Sequence, residues 1–121
     1  MAKALLIIAL LLTAAQAHAA DDWSKQDVAR AVGYTALHVL DWGQTLNLAR
    51  HPERYEEANT LFGKHPSVGK VNTIMAAELA VYYLAAHHLP AKHRAWFQIV
   101  AIGIRSTVVG WNFSIGVKAS Y

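Results

Sequence analysis

Asp41, Glu78 and Arg105 each stand near the middle of a long apolar stretch, the stretches running roughly over residues 29–49, 71–89 and 95–117. A formal charge at the centre of such a segment costs about 2.5–3.5 kcal/mol on the membrane-insertion scale. Three in one small protein ask for a shared explanation, and mutual pairing inside a helical bundle is the simplest. Helical spacing widens the group. His38, Asp41 and Thr45 fall at i, i+3 and i+7 on one face, with Gln44 adjacent. Gln98, Arg105 and Asn112 recur every seven residues, and Tyr82 lies four residues after Glu78. Unpaired polar groups facing lipid are expensive, so these stripes are expected to face one another. The expectation is a buried polar cluster of Asp41, Glu78 and Arg105, surrounded by His38, Gln44, Thr45, Tyr82, Gln98 and Asn112.

Two chemistries fit such a cluster. It can staple the helices together, or it can handle a proton, an ion or a polar substrate. Two carboxylates against one guanidinium leave a surplus negative charge, which protonation of an acid or of His38 would neutralise. Other chemistries are absent. The chain has no cysteine, which rules out disulfides, thiolate nucleophiles and cysteine-rich metal sites. There is no glycine loop to cradle phosphate and no serine or threonine with a positioned base. The balance is against an enzyme, and no cofactor is implied. His87, His88 and His93 are weak metal candidates, because adjacent histidines on a helix point about 100° apart; interfacial anchoring is their other reading. The net charge of +3 is scattered along the chain, so nucleic acid is not an expected partner.

The elements that must position these residues are helices. Each stretch is about as long as a bilayer-crossing helix needs to be. Apolar residues make up 55% of the chain and charged residues 16%, while the mean hydropathy is only +0.20. Distribution therefore carries the argument: polar residues gather at segment ends and in one loop. The expected fold is all-α, a small polytopic membrane helical bundle. It has three spans after signal removal, or four if the signal is retained. Residues 1–19 read as a signal peptide, or as an anchor helix, with Lys3 before the apolar run Ala4–Leu12 and Ala17-His18-Ala19 before a cleavage point at Ala20. Residues 20–121 then form a single helical membrane domain with a polar loop at 52–69.

Ser24 with Asp27 three residues on predicts a helix start. Pro90-Ala91-Lys92 predicts a tight turn that makes the last two helices antiparallel neighbours. Trp23 and Tyr34 suit an interface, and Trp96, Phe97, Trp111, Phe113, Tyr82, Tyr83 and Tyr121 suit an aromatic belt or helix packing. Gly103 and Gly110 would permit close helix approach around Arg105. Arg50, Arg54, Lys64, Lys70 and Lys118 outnumber the flanking charges Lys25, Lys92 and Arg94 of the opposite side, with Arg30 at the border. That places the central loop and C-terminus in the cytoplasm and the mature N-terminus in the periplasm of a bacterial inner membrane.

The loop carries a second pattern. Asp41, Gln44 and Thr45 are followed by Glu57 and Asn59, and then by Gly63, Pro66 and Ser67. This Asp-x-x-Gln-Thr, Glu-x-Asn, Gly-x-x-Pro-Ser series resembles a group of small bacterial and phage-associated membrane proteins of uncharacterised activity. The likeness covers about 30 residues, from Asp41 to Asn72, and departs from the group at Asn59-Thr60, where the group often has Asn-Pro. It implies a membrane fold and no particular activity. Read physically, Glu57 and Asn59 form turns and caps and Ser67 caps the next helix, with a ligand-binding loop as the alternative. The function expected is a non-enzymatic accessory or interaction subunit. Its partners are the lipid bilayer and another membrane protein or a second copy. The alternative is a small oligomeric ion- or proton-coupled carrier or channel.

Overall fold

Ser24 opens the first helix by a reciprocal cap. Its hydroxyl accepts from the Asp27 backbone N–H, and the Asp27 carboxylate accepts from the Ser24 N–H, both at 3.0 Å. The computed structural model describes residues 21–54 and 61–121. The expected signal at 1–19, the cleavage point at Ala20 and the loop residues Glu57 and Asn59 lie outside the described residues.

Helix α1 runs Lys25–Arg50 and stops before Pro52, which cannot continue it. Helix α2 runs Val68–His88 and starts three residues earlier than the apolar run suggested, because Ser67 Oγ accepts from the Lys70 N–H at 3.1 Å. Leu89 is extended, as a residue before proline prefers, and Pro90 opens α3 directly, Ala91–Ser114. The last turn of α3 closes in a Schellman arrangement. Gly116 takes φ +88°, its N–H reaches Phe113 O, and the Val117 N–H reaches Asn112 O. The helix therefore ends before the apolar run does.

Helix α1 is the hub, packing most extensively against α3 and also against α2, while α2 and α3 touch least. One apolar cluster joins Trp42 and Leu46 of α1 to Val71, Met75, Ala76 and Ala80 of α2, with Phe62 folded in from the loop. A second holds Ala31, Tyr34 and Tyr82, with Phe97 against it. After α3 the chain turns back along α1. Asn47 donates to Lys118 O, the Ser120 N–H to Gly43 O, and the Tyr121 hydroxyl to Val39 O at 2.6 Å. The Tyr121 ring sits on Gly43 so closely that a Cβ there would lie 2.5 Å from it.

The described chain is all-α with three helices. Among the described residues, no helix is long and apolar enough to cross a membrane. Inward polar residues on Lys25–Arg50 and Ala91–Ser114, among them Asp41, Gln44, Arg94 and Gln98, lower the hydropathy of those segments. Other expectations need correction as well. The last two helices are joined by a tight turn and touch each other less than either touches α1, with a groove between them lined by Ile74, Val81, Phe97 and Ile104. Gly103 and Gly110 are exposed with open space around them, so neither mediates close helix approach. Tyr34 is buried in the second cluster, and Trp23 lies half-buried on Tyr83.

Candidate functional site

The inward stripe of α1 rises as Asp27, Arg30, Tyr34, His38, Asp41 and Thr45, spaced by three and four residues so that all face the other two helices. The facing stripe of α3 is Arg94, Gln98, Arg105 and Asn112. Together they form three polar tiers.

The central tier is built on Arg105. Its Nη1 donates to Asp41 Oδ2, and its Nη2 donates to Glu78 Oε2 at 3.1 Å and to the Tyr34 hydroxyl at 3.2 Å. One guanidinium thus ties one residue on α2 and two on α1 to α3. The fork geometry of arginine permits this, and a lysine could not reproduce it. Burial is uneven across the tier. The Asp41 side chain is 5% exposed, but those of Arg105 and Glu78 are 17% and 25% exposed. Thr45 Oγ1 adds a long contact of 3.5 Å to Asp41 Oδ1. The offset of about one helical turn between Glu78 and Arg105, counted from the connecting turn, is bridged by the length of the arginine side chain.

His38 and Tyr82 flank this tier without bonding to its charges. His38 is fully buried, stacked on Tyr34, and its Nε2 lies 2.8 Å from Met75 O. A carbonyl can only accept, so Nε2 carries the proton. His38 Nδ1 has no hydrogen-bond partner among the described residues. Tyr82 stacks on Tyr34 with ring centroids 3.7 Å apart. Gln44 and Asn112 form a separate inner tier: Asn112 Nδ2 donates to Gln44 Oε1 at 3.1 Å, and Gln44 Nε2 to Val109 O at 3.2 Å.

Gln98 does not join the central tier. It belongs to an outer one, where its Oε1 accepts from Arg30 Nε at 2.9 Å and its Nε2 donates to Asp27 O at 3.0 Å. The centre of that tier is Arg94, fully buried. Arg94 donates to Asp27 Oδ2 at 3.1 Å and to the backbone carbonyls of Asp21, Asp22, Ala86, His87 and Leu89. It locks the segment before α1 to the turn between α2 and α3. Burial pushes the Asp27 carboxyl up, but bonds from the Ser24 N–H, the Arg94 guanidinium and the Ser24 hydroxyl outweigh it, so its pKa lies below the usual 3.8.

Asp27, Arg30, Tyr34 and Arg94 are the site residues that sequence reasoning passed over. The signal was present: one turn before each stripe lie Tyr34, four residues before His38, and Arg94, four before Gln98, and the α1 stripe continues through Arg30 and Asp27 over two further turns. By sequence alone Asp27 reads as a cap and Arg94 as a flanking charge.

The loop residues take structural positions. Gly63 has φ +79°, Pro66 is buried and Ser67 caps α2. The three clustered histidines do not converge. His87 is buried and its Nδ1 accepts from Trp23 Nε1 at 3.2 Å, His88 is exposed with Nδ1 2.8 Å from Leu84 O, and His93 is exposed. Among the described residues, no group of three histidine or acidic side chains is placed to hold a metal ion. Compared with known proteins, the chain matches no protein-family model, no curated protein and no solved structure.

Proposed function

We propose that the chain is a small helical bundle embedded in the bacterial inner membrane, acting as a non-enzymatic accessory or interaction subunit. The observation that carries this reading is an inverted distribution of polarity. His38, Gln44, Arg94 and Gln98 are 0% exposed, whereas Trp96, Ile99, Val100, Ile104 and Trp111 are at least half exposed. Along α1 from Val28 to Ala49, α2 from Val71 to His87 and α3 from Ala95 to Ser114, no exposed residue is charged. That uncharged belt spans roughly 26–33 Å at 1.5 Å per residue, close to the hydrocarbon core of about 30 Å.

The low hydropathy of each whole helix is compatible with this placement. Gln98, Arg105 and Asn112 lower the average of α3, yet they point at α1 and are paired there, so lipid meets only the outward face. Large apolar patches that remain exposed on a bundle mark contact with a membrane or a partner. The proposed orientation puts Lys25 in the periplasm and the central loop and C-terminus in the cytoplasm. The likeness of the Asp41–Ser67 pattern to bacterial and phage-associated membrane proteins belongs to the same proposal.

Carbonate extraction tests it. The chain is expected to stay with the membrane pellet, and pull-down in mild detergent to recover a partner in fixed ratio. Release into the soluble fraction would overturn the membrane reading.

A second reading is a small ion- or proton-coupled carrier, favoured by the surplus carboxylate at the partly exposed Glu78. It requires Glu78→Gln to abolish flux in vesicles while the bundle still folds.

A further inference from the structure

The groove left between α2 and α3 has a definite chemistry. Its walls are Ile74, Val81, Phe97, Ala101 and Ile104, its volume is about 530 Å³, and Glu78 and Arg105 are the charged side chains that line it. A second recess of about 580 Å³ reaches Glu78, Ile104 and Arg105 as well and adds Asp41, Thr45 and Asn112. Both volumes fall in the range of small-molecule sites, about 300–1,000 Å³. An apolar chamber thus meets a polar one at the ion pair, which is the order of groups in an amphiphile.

Charge selects the head. Arg105 already bridges Asp41 and Glu78, so the junction carries two carboxylates against one guanidinium. An anionic head would meet the excess negative charge. A cationic head would meet Glu78, which takes the Arg105 guanidinium through Oε2, beside the aromatic side chain of Phe97. We infer that this groove binds one single-chain amphiphilic cation, its chain between Val81 and Phe97 and its head against Glu78. The inference rests on the membrane reading, which carbonate extraction tests separately.

Equilibrium binding of dodecyltrimethylammonium and dodecyl sulfate to the purified full chain in nanodiscs tests the site. Saturable binding of one dodecyltrimethylammonium per chain is expected, at least about tenfold tighter than dodecyl sulfate. Glu78→Gln is expected to shrink that preference to within about threefold. Ala101→Trp, which fills the apolar chamber and leaves the charges in place, is expected to remove saturable binding of both probes. The melting temperature of each variant separates loss of the site from loss of the fold. Equal affinity for the two probes, a preference that survives Glu78→Gln, or displacement of the cation by phosphatidylglycerol at equal concentration would overturn the assignment.

Discussion

At the scale of single residues, Arg105 has the most to lose. Removing it leaves Asp41 and Glu78 facing each other without a cation, and breaking a buried pair in this way costs about 3–5 kcal/mol. Arg105→Leu is therefore expected to melt well below the parent and to accumulate poorly. Glu78→Gln removes only the surplus charge and keeps an acceptor for Nη2, so its melting temperature should stay near that of the parent. Thermal unfolding of the two variants beside Asp41→Asn decides the matter, and an Arg105→Leu protein as stable as the parent would show that the pairing carries no stability. Gly43 makes the opposite case. A methyl there would collide with the end of the Tyr121 side chain, a group that can swing away, while alanine favours the helix by roughly 0.5–1 kcal/mol over glycine. Gly43→Ala should leave α1 as stable as before or slightly more so, yet detach the tail. Faster hydrogen exchange at the Ser120 N–H, which is bonded to Gly43 O, reports that detachment.

At the scale of elements, the α1 start and the α2–α3 turn are held by one buried pair, Asp27 with Arg94. Because the Asp27 pKa is depressed in the folded chain, its contribution to stability is fully present above the unfolded value of 3.8 and is lost as pH falls through the lower folded value. The parent is expected to lose melting temperature steeply as pH drops below about 4. Asp27→Asn should start lower at neutral pH and show a shallower slope over that window. Parallel slopes for the two proteins would mean that another carboxylate governs the acid limb. The pairing also explains how two residues as short as Leu89 and Pro90 can link two helices that hardly touch. Arg94 binds both sides of the link, and α1 supplies the surface on which each helix packs.

At the scale of the whole molecule, the exposed charges lie at the two ends of an uncharged belt, so topology is the discriminating measurement. The chain contains no cysteine, and single substitutions at the exposed Lys25 and Lys64 can be labelled without background. In spheroplasts, an impermeant maleimide is expected to label Lys25→Cys directly and Lys64→Cys only after permeabilisation. Labelling of both from the same side would leave the belt covered by something other than a crossed bilayer.

Much of this protein was legible in one dimension because its signals are local or periodic. The caps at Ser24 and Ser67, the break at Pro90 and the all-helical class follow from hydrogen-bond chemistry within a few residues of each helix start or end. The stripes of α1 and α3 follow from a spacing of three and four. That Asp41, Glu78 and Arg105 should meet also followed, since a charge on an apolar segment needs a partner. Which partners they take did not. Gln98 and Asn112 share a stripe with Arg105, yet a seven-residue spacing is about 10 Å of helix rise, enough to place each in a different tier. Arg94 looked like an ordinary flanking charge, and only the convergence of five carbonyls and Asp27 on its guanidinium makes it a buried anchor. The seat of Tyr121 on Gly43 joins residues 78 positions apart, with no periodicity to announce it. Spacing decides which side of a helix a residue occupies. Tertiary packing alone decides its depth, its neighbours and the groove that opens where two helices do not close.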